Sequence, residues 1–143
     1  MNDVLRIDKE GFVIPWRSGR YVQVLQRHEV RGIVIEINGT IAGFCLLRLG
    51  RRSLQIIRFC IAVEFRRQQI GCRFFRRMRW RINQSQRLQM LVVRVPESNL
   101  PAQQFFQKCG LICVAIERRT CSTDLLPDNH YRMEWHKQER AIE

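Results

Sequence analysis

A single mixed α/β domain is the fold this sequence predicts, and three features predict it. Asn38-Gly39 lies between two apolar runs, the strongest short-range signal for a tight hairpin. Ile70, Phe74, Met78 and Ile82 recur at i, i+4, i+8 and i+12, with Phe75 beside them, the period of an amphipathic helix. Leu54–Ala62 and Leu88–Val95 are nearly continuous apolar runs, as expected of strands buried on both faces. The 143 residues suffice for one domain, and 45% hydrophobic content supports a core.

The remaining elements follow in order. Ser18 is a candidate cap for a helix reaching about His28, with Tyr21, Val22, Val24 and Leu25 as its apolar side. Gly32–Ile37 and Thr40–Leu49 are the two strands of the hairpin. Gly50-Arg51-Arg52 forms a turn into the third strand, Leu54–Ala62. A helix covers Ile70 to about Asn83, its other face carrying Arg73, Arg76, Arg77, Arg79 and Arg81. Pro96 ends the strand Leu88–Val95, and a helix starts near Asn99 with Pro101 in its first turn. Gly110 stands where a glycine closes a helix. Leu111–Ile116 and Tyr131–Trp135 are the last strands, joined by a polar loop containing Pro127. The order α-β-β-β-α-β-α-β-β has no repeat, low-complexity tract or linker.

Charge is unevenly placed. Residues 37–96 hold thirteen arginines and one acid, Glu64, and so carry the whole net charge of +12. Only Lys9, Lys108 and Lys137 among the 25 basic residues are lysines. Arginine suits bidentate phosphate contacts. The excess reads either as a solvated basic face or as a field for an anionic partner, including RNA or a ribosome. No apolar run approaches the ~18 residues of a membrane span, and Met1-Asn2-Asp3-Val4 opens no secretory signal. The six cysteines, Cys45, Cys60, Cys72, Cys109, Cys113 and Cys121, form no C-x-x-C pair. They read as reduced thiols of a cytoplasmic protein. Cys109, Cys113, His130 and His136 have nearly the spacing of a Cys2His2 zinc set. The second gap is long and the intervening elements read as strands, so core thiols, surface imidazoles and no metal are expected.

Two segments carry chemistry. In Phe59-Cys60-Ile61-Ala62-Val63-Glu64-Phe65-Arg66-Arg67-Gln68-Gln69-Ile70-Gly71-Cys72 a strand feeds a helix start, where free N–H groups and the helix dipole favour an anion. The second is Asn99-Leu100-Pro101-Ala102-Gln103-Gln104-Phe105-Phe106-Gln107-Lys108-Cys109-Gly110-Leu111, which begins 28 positions after Gly71. That gap is enough for one helix and one strand. Together they resemble the acetyl-CoA site of GCN5-related N-acetyltransferases. The family's loop reads Q/R-x-x-G-x-G/A; Arg66 and Gly71 match its ends, and Gln69 replaces its first glycine. Asn99, Ala102, Phe105, Gly110 and Leu111 match the second pattern in register. Pro15-Trp16-Arg17-Ser18 and Gly39-Thr40-Ile41-Ala42-Gly43-Phe44 resemble segments of the ribosomal-protein N-terminal acetyltransferases.

The resemblance implies a mostly antiparallel sheet with a splayed central strand pair and flanking helices, the family's first strand being short or missing. It implies acetyl-CoA as cosubstrate and a protein N-terminal α-amine or small amine as acceptor, in a monomer or homodimer. Arg66, Arg67, Gln68, Gln69, Ile70, Gly71 and Cys72 would line the pyrophosphate. The backbone of Phe59, Cys60 and Ile61 would pair with the pantetheine arm, with Asn99 and Phe106 also at the cofactor. Phe106 replaces the family's acid tyrosine, and Arg94 stands at the base glutamate of the ribosomal-protein branch. Glu97 and Tyr131 are the candidate catalytic substitutes, with Glu64 and His130 behind them; each reads first as a surface or loop residue. Loss of both proton-handling groups leaves open a degenerate binding module of the same fold.

Overall fold

Asn38 and Gly39 take positive φ values of 50° and 79°. This is the geometry that a two-residue hairpin turn demands. The turn joins β1 (Val30–Ile37) to β2 (Thr40–Leu49), paired antiparallel from Val30↔Arg48 to Ile37↔Thr40. The computed structural model describes residues 1–118 and 129–138; Cys121 and Pro127 lie outside them.

The chain divides into two compact units. The first comprises residues 1–50 and 54–74. Its strand β3 (Ser53–Ile61) pairs antiparallel with β2, from Gly43↔Ile61 to Leu49↔Leu54. A Cβ on Gly43 would lie 2.8 Å from the Cys60 carbonyl oxygen and 2.7 Å from Ile61 Cδ1, so this register requires glycine. A 3-10 turn (Val63–Phe65) follows β3 and leads to the start of the long helix that ends at Gln84.

Asn2–Gly11 form helix α1, an element for which the sequence reading gave no signal. Asp3 in its first turn and Lys9 in its last suit the helix dipole. Ile7 and Asp8 are both fully buried, so the buried face of α1 contains a carboxylate. Helix α2 (Ser18–Leu25) ends one turn short of His28, and its cap position is Arg17 rather than Ser18. Tyr21 and Val24 enter a core with Ile7, Val30, Phe44, Leu46, Cys60 and Ala62.

A buried charge needs partners, and Asp8 has three. Arg58 on β3 donates to both carboxylate oxygens, at 2.5 and 3.0 Å. The Trp16 N–H donates to Oδ1 at 2.8 Å, and the Tyr21 hydroxyl donates to Oδ2. The Arg58 guanidinium also bonds the Ile14 carbonyl at 3.1 Å and lies over the rings of Phe12 and Trp16, 3.6 and 4.7 Å from their centroids. Burial alone would raise the Asp8 pKa, but the bonds from Arg58, Tyr21 and Trp16 outweigh it and hold it below the ordinary value. The same burial and the neighbouring carboxylate push the Tyr21 phenol far up.

Helix α3 (Ile70–Gln84) gives its first turn to the first unit and the remainder to the second, which holds residues 51–53 and 75 onward. There β4 (Met90–Pro96), α4 (Leu100–Lys108), β5 (Ile112–Glu117) and β6 (His130–His136) follow. β6 pairs antiparallel with β4, Met90↔His136 to Pro96↔His130, and with β5, Ile112↔Glu134 to Glu117↔His130. The last strand therefore inserts between the two before it. β4 starts at Met90 rather than Leu88 because the Ser85 hydroxyl accepts from the N–H groups of Arg87 and Leu88, 3.2 and 3.0 Å, and turns the chain there. Phe75, Phe105 and Phe106 meet edge to face at 5.2–5.8 Å. Gly110 closes α4 at φ 93°. Arg79 leaves the predicted arginine face and donates to the Cys109 carbonyl instead. No described helix is long and apolar enough to cross a membrane.

Replacing Asp8 by Asn leaves Arg58 buried without its counter-charge, a loss of about 3 kcal/mol in urea unfolding. The pH dependence has a fixed sign. Asp8 has a depressed folded pKa, so its contribution is complete above the unfolded carboxylate value of about 4 and is lost as pH falls through the folded value. The wild type should lose stability faster than Asp8→Asn over that acid range, and parallel curves would contradict the assignment.

Candidate active site

The chain leaves β3 through the 3-10 turn and enters α3 through residues 66–69. Arg66 ties this loop to the strand: its Nε donates to the Ile61 carbonyl at 3.0 Å, and a terminal nitrogen lies 3.8 Å from Cys60 Sγ. Arg67 and Gln69 both adopt the left-handed conformation, φ 63° and 60°. Gln69 thus follows the path that glycine would take, with its Cβ present. The Gln69 carbonyl accepts the first helical bond, from the Arg73 N–H at 3.0 Å. Phe59 of β3 stacks on Phe74 of α3 at 5.6 Å, fixing the helix start against the strand.

Apart from the turn that closes on Gln68, the backbone N–H groups of residues 67–72 donate no backbone hydrogen bond among the described residues. Left-handed residues alternating along such a run turn successive N–H groups to one side, forming a concavity that holds anions. The N-terminus of a fifteen-residue helix adds its positive dipole end. Gly71 is buried in the first turn, Cys72 is half-buried, and Arg66, Arg67, Gln68 and Gln69 are exposed. The side chains of Arg67 and Arg73 have no carboxylate partner among the described residues. Glu64 is taken by Arg6 at 3.3 Å in an exposed pair.

Strand alternation corrects one expected contact. The Ala62 N–H bonds the Ala42 carbonyl at 2.7 Å, which makes Cys60↔Phe44 a hydrogen-bonded pair two residues earlier. Cys60 therefore spends its backbone groups on β2 and cannot pair with an added ligand. Phe59 and Ile61 turn theirs to the opposite edge. The Cys60 thiol is buried, which raises its pKa. Burial does the same to Cys45.

In the second unit, Asn99 caps α4, its Oδ1 accepting from the Ala102 N–H at 3.2 Å. Gln103 reaches back to the Pro96 and Glu97 carbonyls at 3.1 and 2.8 Å. Phe106 is buried against Phe75 and Phe105. Arg94 is held by Glu117 at 2.7 Å. Glu117 also meets Arg132, which pairs with Glu134, itself bonded to His136 Nε2 at 2.8 Å. Burial would raise the Glu134 pKa, but Arg132 and His136 bring it below the ordinary value. The Glu97 N–H bonds the Asn129 carbonyl at 2.8 Å and extends the β4–β6 ladder, while Tyr131 pairs with Val95. This register puts Glu97 and Tyr131 on one face at one end of the strand pair. Tyr131 and His130 are half-buried and Glu97 exposed. Cys109 is buried, Cys113 exposed, and the described residues contain no cluster of three potential metal ligands.

A β-strand, an arginine-flanked turn and a helix start with open N–H groups make a concavity suited to an anion. The chain belongs to the acetyltransferase (GNAT) family, whose model matches residues 1–111. Over 112 residues it is 29% identical to a Bacillus subtilis (strain 168) protein provisionally named [ribosomal protein bS18]-alanine N-acetyltransferase, covering 78% of this chain and 74% of that one. The fold is similar to the ribosomal-protein-S18-alanine N-acetyltransferase from Escherichia coli, with TM-score 0.81, 15% identity, and coverage of 99% of this chain and 90% of that one. It is also similar to a GNAT family acetyltransferase from Elizabethkingia anophelis with acetyl-CoA bound, with TM-score 0.75, 14% identity, and coverage of 95% and 90%.

The left-handed Gln69 yields a stability prediction. An L-residue there costs about 1–2 kcal/mol, and the added unfolded freedom of glycine returns roughly 0.5–1 kcal/mol of that. Gln69→Gly should therefore unfold about 0.5–1 kcal/mol later in urea with an unchanged slope. A clear loss of stability would mean that the Gln69 side chain makes a contact stronger than the strain.

Proposed function

We propose that this acetyltransferase carries an acetyl group from acetyl-CoA to a primary amine, with a protein N-terminal α-amine as the acceptor. The observation that carries the reading is the run of open N–H groups at residues 67–72, bent by left-handed Arg67 and Gln69 at the start of α3. It fits a pyrophosphate: backbone donors converge and no acid lies within the run. Arg67 and Arg73 add positive charge beside it. In this reading the amide arm runs along the C-terminal end of β3, the segment that feeds the turn at residues 66–69. Similarity to a relative named for ribosomal protein bS18-alanine supports a protein terminus beginning with alanine as the first acceptor to try.

Acetyl-CoA supplies a thioester, whose acyl group passes to a neutral amine. The N–C bond forms, the C–S bond breaks, the new ammonium loses a proton and the leaving thiolate takes one. Arg94 is a permanent cation paired with Glu117 and serves as no base. Phe106 has no proton to give. In this reading Glu97 takes the amine proton and Tyr131 supplies one to the thiolate. A thiolate is a tolerable leaving group, with an ordinary thiol pKa near 8.5, so the base matters more than the acid.

The test is acetylation of alanine-initiated peptides, read by mass. The proposal expects one acetyl on the α-amine and none on an Nα-blocked peptide. Glu97→Gln should lower kcat about 100-fold with KM for acetyl-CoA unchanged, and Tyr131→Phe about tenfold. Full turnover in both variants would remove the two residues from the chemistry. Acetylation of the blocked peptide on lysine would overturn the acceptor class.

A further inference from the structure

The arginine excess is organised on α3 in a way that, Arg73 apart, the acetyl-transfer reading does not use. Arg73, Arg76, Arg77, Trp80 and Arg81 stand at i, i+3, i+4, i+7 and i+8, a single stripe along one helix face. The opposite face is consumed by the core: Ile70, Phe75, Met78 and Ile82 are buried. Arg73, Arg76, Arg77 and Arg81 are exposed, and none has a carboxylate partner among the described residues. Unpaired guanidinium groups at this density repel one another, and an anion with regularly spaced charges relieves that repulsion.

The stripe continues past the helix. Ser85 turns the chain through Arg87, and the Gln89 N–H bonds the Arg52 carbonyl at 2.7 Å. Arg51, Arg52 and Arg87, all exposed, therefore gather near the C-terminal end of α3. A negative helix end alone would attract isolated cations there, but it does not explain a row running the length of the helix.

Trp80 decides among anionic partners. It is 60% exposed in the middle of the stripe, between Arg77 and Arg81. A solvated tryptophan flanked by guanidinium groups is a platform for a nucleobase with its phosphates held on either side. A membrane surface would need an apolar helix face turned outward, and that face of α3 is buried. A helix cannot read the deep, narrow major groove of duplex RNA. We propose that the outer face of α3, extended by Arg51, Arg52 and Arg87, binds single-stranded nucleic acid, with Trp80 stacking on a base and the arginines holding phosphates. The site shares only Arg73 with the cradle at residues 67–72; Arg76, Arg77, Trp80 and Arg81 have no part in the acetyl-transfer reading.

The test uses fluorescence anisotropy of the full chain with labelled twelve-residue oligouridylate and oligodeoxythymidylate, with heparin and anionic phosphatidylserine vesicles as competitors. Affinity should fall with salt at a log–log slope near −3, the value for about four phosphates on a single strand. Trp80→Ala should weaken binding roughly tenfold with the salt slope unchanged, because stacking is not ionic. Arg76→Gln/Arg77→Gln/Arg81→Gln should flatten the slope by about 2. All these side chains are exposed, so thermal midpoints should match wild type. Equal affinity for both oligomers supports phosphate-and-base recognition, and tighter binding of the uridylate adds a 2′-hydroxyl contact to the same site. Binding indifferent to Trp80→Ala, or vesicles that displace the oligomers more strongly than heparin does, would overturn the proposal. So would oligomer affinity unchanged in the triple arginine variant.

Discussion

The Asp8–Arg58 pair is the constraint on which the first unit depends. A carboxylate on the inner face of α1 is tolerable only because a guanidinium fifty residues later lies within hydrogen-bond reach of both its oxygens. Meeting that need fixes more than two side chains. The Trp16 N–H and Tyr21 hydroxyl complete the carboxylate, so the segment between α1 and α2 has one path. Arg58 then carries the rings of Phe12 and Trp16 on its planar faces. The result is a β3 strand held from behind by α1, α2 and their linker. The end of this strand, at Phe59–Ile61, is where the chain must be rigid if it is to present a backbone edge to a cosubstrate.

The loop after β3 achieves by strain what glycine achieves by permissiveness. Arg67 and Gln69 both hold left-handed backbone, which costs free energy for any residue with a Cβ. Two features hold them there. Arg66 anchors the loop to the Ile61 carbonyl on one side, and the Phe59–Phe74 stack anchors α3 on the other. Gln69 thus holds a left-handed backbone that glycine would adopt without a Cβ penalty. The second unit treats its departures differently. Arg94 is absorbed into a ladder of alternating charges with Glu117, Arg132, Glu134 and His136, and Phe106 into an aromatic cluster. Neither is left with a proton-transfer role.

What was legible in the sequence was local. Asn38-Gly39 announced its own turn, and the four-residue spacing from Ile70 to Ile82 announced α3, because in each case the signal and the structure lie within one element. Asn99 was legible as the start of α4 and proves to be its cap. Helix α1 was not legible, because its buried face includes an aspartate whose partner is fifty positions away; periodicity counts Asp8 as polar. The position of β6 between β4 and β5 is a long-range pairing that no short pattern encodes. The left-handed φ of Arg67 left no trace either, since arginine is an improbable residue for that conformation. Cys60 looked like a ligand contact until the register with Phe44 fixed which way its peptide groups point.

The central claim is that residues 67–72 form the anion cradle of an acetyl-CoA site. Calorimetric titration of acetyl-CoA into the wild type and into Gly71→Asp addresses it directly, with desulfo- and 3′-dephospho-CoA as companions. The account predicts micromolar binding to the wild type, and a loss of at least 100-fold in Gly71→Asp with the fold intact by circular dichroism, because a carboxylate would then stand among N–H groups meant for phosphate. Equal affinity in the two proteins would mean that the cosubstrate is held elsewhere and that the left-handed loop serves the fold alone.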